Sequence, residues 1–144
     1  MPNPSHDISG GANVTGREGE TRAAQFLADR GYRILARNVH AAYGEIDLIA
    51  QDGDTLVFVE VKARSSRLPR KAAGADAPLP FDLATASVDR RKRERLSRAA
   101  LGYLAQHQID APCRFDVVAI EAGRDGVQIA LFQDAFELQD TTPF

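Results

Sequence analysis

The chain has 144 residues, enough for one domain with a substantial core, and its 44% hydrophobic and 26% charged residues are ordinary for a globular protein in water. The single cysteine excludes an internal disulfide and favours a cytoplasmic location, and no apolar run approaches the roughly 20 residues of a membrane-spanning helix. The net charge of −2 is unevenly distributed, because residues 62–98 hold 11 of the 18 Lys and Arg but only 4 of the 20 Asp and Glu; this local net of +7 favours a polyanionic partner.

The first third of the chain predicts a tail followed by a helix. Residues 1–14 are rich in Pro, Ser, Asn and Gly, which is typical of a disordered tail, and we assign residues 15–144 to a single domain. Thr15 and Glu18 have the spacing of a capping box and Gly31 is a helix stop, so we predict a helix between them. Its predicted core face comprises Ala23, Ala24, Phe26 and Leu27, with Glu20 on the same side.

Three strands and a long loop are predicted next. The strands are "YRILARNVH", "GEIDLIA" and "TLVFVEVKA". Asp52-Gly53 lies between the second and third strands and predicts a two-residue hairpin turn. Residues 64–86, which are rich in Arg, Ala, Pro and Gly without a clear period, predict a long basic loop.

The remainder predicts a long helix and two further strands. The helix runs from Ser87 to His107, the strands are "CRFDVVAIEA" and "VQIALFQ", and "DAFEL" predicts a final helical turn. The long helix joins the third and fourth strands as a βαβ unit, whose strands are parallel. We therefore expect an α/β fold in which a mixed β-sheet is flanked by helices.

The predicted hairpin brings acidic side chains together. With Asp52-Gly53 as the turn, Asp47 lies diagonal to Glu60 and Glu45 faces Glu60, while strand alternation puts Lys62 on the same face. Carboxylates clustered on an apolar hairpin repel one another, and a hard divalent cation relieves that repulsion. Lys62 is then suited to hold an attacking water, so the pattern favours metal-assisted phosphodiester chemistry. The alternative is an ordinary ion pair between Glu60 and Lys62 on an exposed edge.

The chain also resembles a known family. The segments that carry the resemblance are "GREGE", "GEIDLIA", "LVFVEVKAR" and "RFDVV". Together they resemble the bacterial YraN family, within the PD-(D/E)XK nuclease and Holliday junction resolvase-like superfamily. The superfamily has a restriction-endonuclease-like αβββαβ core, which is the order predicted above. In the long helix the YraN family often reads Lys-Gln, whereas this chain has Lys92-Arg93.

The resemblance implies roles for four residues. Asp47 and Glu60 match the metal-binding acids of the superfamily, and Lys62 matches its catalytic lysine. Glu20 matches a glutamate of the first helix that assists the metal in resolvase-like members; the alternative is a solvated helix residue. The implied cofactor is Mg²⁺ or Mn²⁺, and a homodimer is compatible with the resemblance, because junction-cutting members are often dimers.

A basic surface is predicted for the start of the long helix and the loop before it. Clustered Lys and Arg favour contact with nucleic acid phosphates, although a solvated helix face is the usual role of such a run. The predicted nucleic-acid-binding residues are Arg64, Arg67, Arg90, Arg91, Lys92, Arg93 and Arg95.

Three single residues are expected to have structural roles. His40 just precedes the hairpin, and the alternative to its structural role is that it borders the site. Cys113 is predicted to be a small buried apolar residue, and Asp116 is expected to orient Arg114 or to shape the site. The leading functional hypothesis is a Mg²⁺-dependent endonuclease acting on nucleic acid, with DNA favoured and branched repair or recombination intermediates as candidate substrates. The alternative is a nucleic-acid-binding module of a repair or processing complex that does not cleave, and a purely structural protein is the third hypothesis.

Overall fold

The computed structural model describes residues 16–41, 44–65, 88–123 and 126–139. The predicted tail, Thr15 and Arg67 lie outside these residues, as does most of the predicted loop. The helices and strands, in chain order, are α1 (Gly16–Asp29), β1 (Arg33–Ala41), β2 (Gly44–Asp52), β3 (Thr55–Ser65), α2 (Arg90–Gln106), β4 (Cys113–Gly123) and β5 (Gly126–Phe136). Neither of these helices is long and apolar enough to cross a membrane.

The five described strands form one mixed sheet in the order β1-β2-β3-β4-β5. β1, β2 and β3 are antiparallel neighbours, β3 and β4 are parallel, and β4 and β5 are antiparallel. The parallel pair is the one joined through α2, as the βαβ prediction requires. The α/β fold class is therefore confirmed, and the element order is consistent with a restriction-endonuclease-like αβββαβ core.

The apolar run of β3 is buried because both faces of the sheet are covered. Phe58 belongs to the core cluster that contains Leu96 and Ala99 of α2, whereas Val57 and Val59 belong to the cluster that contains Leu27 of α1. Side chains alternate along a strand, so Glu60 follows Phe58 on the α2 face. A nearly continuous apolar sequence is typical of a strand covered on both sides.

The predicted register of the β2–β3 hairpin is wrong. The turn is Gly53-Asp54, and Asp52 pairs with Thr55, so each β2 residue faces a β3 residue two positions beyond the predicted one. Gly53 has a φ of 60° and Asp54 does not have a positive φ, as in a type II′ turn, whose first central residue is glycine. The carboxylate of Asp52 also bonds Arg114 on β4 at 2.8 Å, which holds Asp52 within the strand.

Near Asp47, the side chains of β2 no longer alternate regularly between the two faces of the sheet, and the backbone of the neighbouring strand β1 is also irregular. Ile46 belongs to the core cluster on the α2 side, although Leu48, two residues on, belongs to the cluster on the α1 side. On β1, Arg37 pairs with Leu48 and Val39 pairs with Ile46, so Asn38 lies opposite Asp47. Asn38 has a φ of 52°, a left-handed conformation that asparagine tolerates better than most residues. These irregularities on β1 and β2 take Asp47 out of the regular backbone pairing of the sheet.

Smaller differences from the predicted elements have local causes. Arg64 and Ser65 belong to β3 rather than to the predicted loop. The segment predicted as a final helical turn starts within β5, where Asp134 has a φ of 52° and donates its backbone N–H to Asp116 at 2.9 Å. α2 begins at Arg90 because Asp89 caps it, accepting a hydrogen bond from the Lys92 N–H at 2.8 Å.

Candidate metal site between the hairpin and helix α2

A cavity of about 330 Å³ opens between the β2–β3 hairpin and the start of α2. Two of the predicted metal ligands, Asp47 and Glu60, line it together. The other lining residues are Gly44, Glu45, Lys92, Arg95 and Leu96. The fold therefore brings the two acids together at the junction of a strand pair and a helix, as the sequence predicted, although by a different register.

Glu60 is the buried acid of the pair. Its side chain is only 7% exposed, and its Oε1 lies 2.7 Å from the Nζ of Lys92, whose side chain is 42% exposed. A carboxylate this far from water is stable only when it is paired and hydrogen-bonded. In this structure the ammonium of Lys92 provides that partner.

Asp47 occupies the gap where β2 leaves the β3 ladder. The last pair of the ladder is Leu48 with Val59, and beyond it the Oδ2 of Asp47 accepts the backbone N–H of Val61 at 2.8 Å. Burial, followed by the charge of Glu60, raises the pKa of Asp47 from 3.8 to about 7. The Val61 hydrogen bond and the charge of Lys92 lower this pKa and so oppose the shift.

The remaining predicted catalytic residues lie nearby but do not line this cavity in the described residues. Glu20 of α1 is partly buried, and its charge adds to the raised pKa of Asp47. Lys62 is also partly buried, two residues beyond Glu60 on β3, where it pairs with Ala119 of β4. Both residues are thus close to the acid pair in the fold, but the shared cavity belongs to Asp47 and Glu60.

The predicted basic surface is less uniform than its sequence indicates. Several of its side chains are engaged within the protein. These contacts are Arg64 with Glu121 at 2.7 Å, Arg90 with Glu94 at 3.3 Å, Arg93 with the carbonyl of Val88 at 2.6 Å, and Lys92 with Glu60. Arg91 is exposed and Arg95 lines the cavity, so these two are the best placed to meet a phosphate beside the acid pair.

Comparison with known proteins identifies the family. A model described as "Uncharacterised protein family UPF0102" matches residues 19–120, a range that contains most of α1, the hairpin, α2 and most of β4. The chain belongs to the UPF0102 family. It is 44% identical over 128 residues to a UPF0102 protein of Syntrophus aciditrophicus, covering 86% of this chain and 89% of the relative. It is 49% identical over 123 residues to one from Symbiobacterium thermophilum, covering 84% and 94%.

The donor set of this UPF0102 family member fits a hard divalent ion with few protein ligands. The described residues contain no group of three or more His, Cys, Asp and Glu side chains placed to hold a metal. Mg²⁺, however, is commonly bound through one or two carboxylates, with water and substrate phosphate completing its octahedral shell. Asp47 and Glu60 supply that pair of carboxylates, and a bound cation would offset both the burial and the Glu60 charge that raise the pKa of Asp47.

Asp116 is fully buried and takes part in a structural network with Tyr32, a residue of the core cluster on the α1 side. It accepts hydrogen bonds from the Tyr32 hydroxyl at 3.0 Å, from Arg114 Nε at 2.9 Å and from the Asp134 N–H at 2.9 Å. Arg114 also reaches Asp52 in the hairpin. The expectation that Asp116 orients Arg114 is confirmed, and the network joins β4 to β5 and to the hairpin.

Of two other residues singled out in the sequence, His40 is exposed, and Cys113 is partly buried rather than buried as predicted. His40 Nδ1 lies 3.1 Å from Oε1 of Glu45, which lines the cavity, so His40 borders the site only through that acid. Cys113 is partly buried, and burial raises the pKa of its thiol. A protonated thiol is a poor nucleophile, which agrees with a packing role for Cys113.

Sequence reasoning missed the contact between Lys92 and Glu60, although a signal for it was present. Lys92 lies four residues before Leu96 and seven before Ala99, so it extends the buried stripe of α2 toward its N-terminus. A lysine in that stripe is expected to face the sheet rather than solvent. Asn38 was also missed, because its effect on Asp47 depends on pairing between β1 and β2.

Proposed function

We propose that this protein is a Mg²⁺-dependent nuclease that hydrolyses phosphodiester bonds in nucleic acid, with DNA as the favoured substrate and branched intermediates as candidates. The observation that carries the proposal is the pair formed by Asp47 and Glu60, two carboxylates in one cavity beside a cationic helix end. Globular domains seldom retain such a charged pair in a partly buried place without a cation or a chemical role.

Each side chain has a defined part in this proposal. Asp47 and Glu60 bind the ion, and Glu20, whose charge acts on Asp47, adds negative potential from α1. The ion would act as a Lewis acid on the phosphoryl group and lower the pKa of a bound water. Lys62, two residues from Glu60 on the same face of β3, orients the attacking water or offsets charge on the phosphoryl oxygen. Arg91 and Arg95 bind neighbouring phosphates.

The proposal is tested by a cleavage assay with branched, linear duplex and single-stranded substrates in Mg²⁺ and in Mn²⁺. Glu60→Gln keeps the size of the side chain and removes its charge, so it should abolish cleavage while leaving metal-free nucleic acid binding intact. The matched control is Glu45→Gln, because Glu45 lines the same cavity but is exposed and pairs with His40. Cleavage that survives in Glu60→Gln at the wild-type rate would refute the assignment of Glu60.

One observation favours the second candidate, a nucleic-acid-binding module that does not cleave. The ammonium of Lys92 already neutralises Glu60, so the buried acid has a partner without any metal. This candidate predicts that the wild-type protein binds nucleic acid with a steep dependence on salt, because phosphate contacts release counterions. It also predicts no cleavage of any substrate in either metal ion.

A further inference from the structure

The two side chains of the Lys92–Glu60 contact differ in their exposure to solvent. Glu60 is fixed on β3 and its side chain is 7% exposed, whereas the side chain of Lys92 is 42% exposed. The backbone of Lys92 is held by the Asp89 cap in the first turn of α2. A lysine has a long flexible stem, so the ammonium can leave for solvent while the carboxylate cannot.

The same ammonium acts on both acids of the cavity. It lies 2.7 Å from the Oε1 of Glu60, and its charge is among the influences on Asp47. A divalent ion shared by the two carboxylates would be within a few Å of this ammonium. The two cations would repel each other and would compete for the same Glu60 oxygen, so a bound metal disfavours the contact between Lys92 and Glu60.

From this geometry we infer that Lys92 is a tethered counter-ion that holds the place of the divalent cation in the metal-free protein and withdraws when the metal binds. The inference rests on the metal site of the proposed function and adds the residue that sets its affinity. With Lys92 in place, the metal binds only to the fraction of molecules in which the ammonium has moved away. Apparent affinity falls by that fraction.

The position to which the Lys92 ammonium withdraws would couple metal binding to the binding of a substrate phosphate. Lys92 and Arg95 line the same cavity at the start of α2, with Arg91 beside them in sequence and exposed. An ammonium that leaves Glu60 therefore remains at the mouth of the site, where a substrate phosphate would lie. A phosphate that holds it there favours metal entry, and a bound metal favours the phosphate by the same factor.

Mn²⁺ binding measured by isothermal titration calorimetry tests the inference without any need for cleavage. Lys92→Met keeps the length and apolar stem of the side chain but removes the ammonium. We expect this variant to bind Mn²⁺ about tenfold more tightly than the wild type. This factor corresponds to a wild type in which the ammonium is withdrawn from Glu60 in about one molecule in ten. The matched control is Arg98→Met, which removes one positive charge from an exposed position of the same helix and should change the affinity less than about twofold.

A melting experiment provides an independent readout. Without metal, Lys92→Met leaves Glu60 buried without its ammonium, so it should melt below the wild type in EDTA. Saturating Mn²⁺ should raise its melting temperature by more than it raises that of the wild type, because the ion binds it more tightly. If Lys92→Met does not fold, Lys92→Gln, whose amide can still donate to Glu60, replaces it with the same expectations.

The outcomes separate this inference from the proposed function. Mn²⁺ affinity that is unchanged or weaker in Lys92→Met would overturn the inference and leave the metal site standing. The same tightening in Arg98→Met would overturn it as well, since the effect would then be one of general charge. Absence of Mn²⁺ binding in all three proteins would overturn both the inference and the metal requirement of the proposed function.

Discussion

We expect Asp47 to make the metal-free protein less stable at neutral pH, and its replacement by asparagine tests this directly. The asparagine side chain would keep the oxygen that accepts the Val61 N–H but would carry no charge. The pKa of Asp47 is raised from 3.8 to about 7, mainly by burial and by Glu60. Each pKa unit corresponds to about 1.4 kcal/mol, so ionising Asp47 costs the folded protein up to about 4 kcal/mol of unfolding free energy.

The sign of the pH dependence follows from the direction of the shift. An acid whose pKa is raised on folding makes its full contribution to the unfolding free energy below pH 3.8, where it is protonated in both the folded and the unfolded state. That contribution is lost as the pH rises to about 7. Asp47→Asn should therefore be more stable than the wild type at pH 8 by up to about 4 kcal/mol. The gain should shrink steadily toward pH 4.

Urea denaturation in EDTA at pH 4, 6 and 8 measures this difference. Asp54→Asn is the matched control, because Asp54 is an exposed carboxylate in the turn of the same hairpin. The control should show little gain at any pH. A difference between wild type and Asp47→Asn that stays constant from pH 4 to pH 8 would refute the electrostatic reasoning about the acid pair.

Three further predictions concern other parts of the molecule. Arg114→Ala should lower the unfolding free energy by about 3 kcal/mol or more in urea denaturation, because it leaves the fully buried Asp116 without its cation. Arg91→Ala and Arg95→Ala should each weaken nucleic acid binding for many sequences alike, and each should lower the slope of log affinity against log salt by about 1 in fluorescence anisotropy titrations. Cys113 should react with a thiol reagent at pH 7 more slowly in the folded protein than in urea, because burial raises its pKa.

Different results would contradict each of these three. A loss below about 1 kcal/mol in Arg114→Ala would mean that Asp116 is satisfied by its neutral donors alone. An unchanged salt slope in both arginine variants would place the nucleic acid elsewhere, and Arg33→Ala on the exposed surface of β1 is the control for charge lost at a distance. Equal thiol reactivity in folded and unfolded protein would argue against burial of Cys113.

Periodicity in the sequence predicted the kind and order of the described helices and strands, but the predicted final helical turn was wrong because its first residues belong to β5. The alternation and apolar runs of the strands, the stripe of α2 from Leu96 to Leu104, and the stop at Gly31 are local signals, and the structure contains each of them. Gly31 has a φ of 93°, which a helix-ending glycine adopts without strain. These features depend on neighbours within a few residues, so a single sequence is sufficient to find them.

The register of the hairpin could not be fixed in the same way. Asp52-Gly53 and Gly53-Asp54 both have turn chemistry, and the observed turn is accompanied by a bond from Asp52 to Arg114, which is far along the chain. The prediction that Asp47 and Glu60 meet survived the wrong register, because the shift was by two residues and side chains alternate with a period of two.

The contacts that shape the site are long-range and were only partly predictable. The Glu60–Lys92 pair forms because the βαβ connection lays α2 over β3. Asn38 lies opposite Asp47 on β1, and its left-handed backbone has no distinct sequence signal. Charge counts also overstated the basic surface, since the pairing of Arg64 with Glu121 joins two strands and depends on the fold, whereas the Arg90–Glu94 pair has the local i,i+4 spacing of a helix.

A crystal structure of the wild-type protein grown with Mn²⁺ would show whether Asp47 and Glu60 share one divalent ion, on which the proposed function depends. The anomalous signal of manganese locates the ion without reference to the protein density. We expect one peak within about 2.3 Å of an oxygen from each carboxylate, with the Lys92 ammonium withdrawn from Glu60 toward the mouth of the cavity. Crystals saturated with Mn²⁺ in which this cavity shows no peak, and in which Lys92 still bonds Glu60, would contradict the shared metal site.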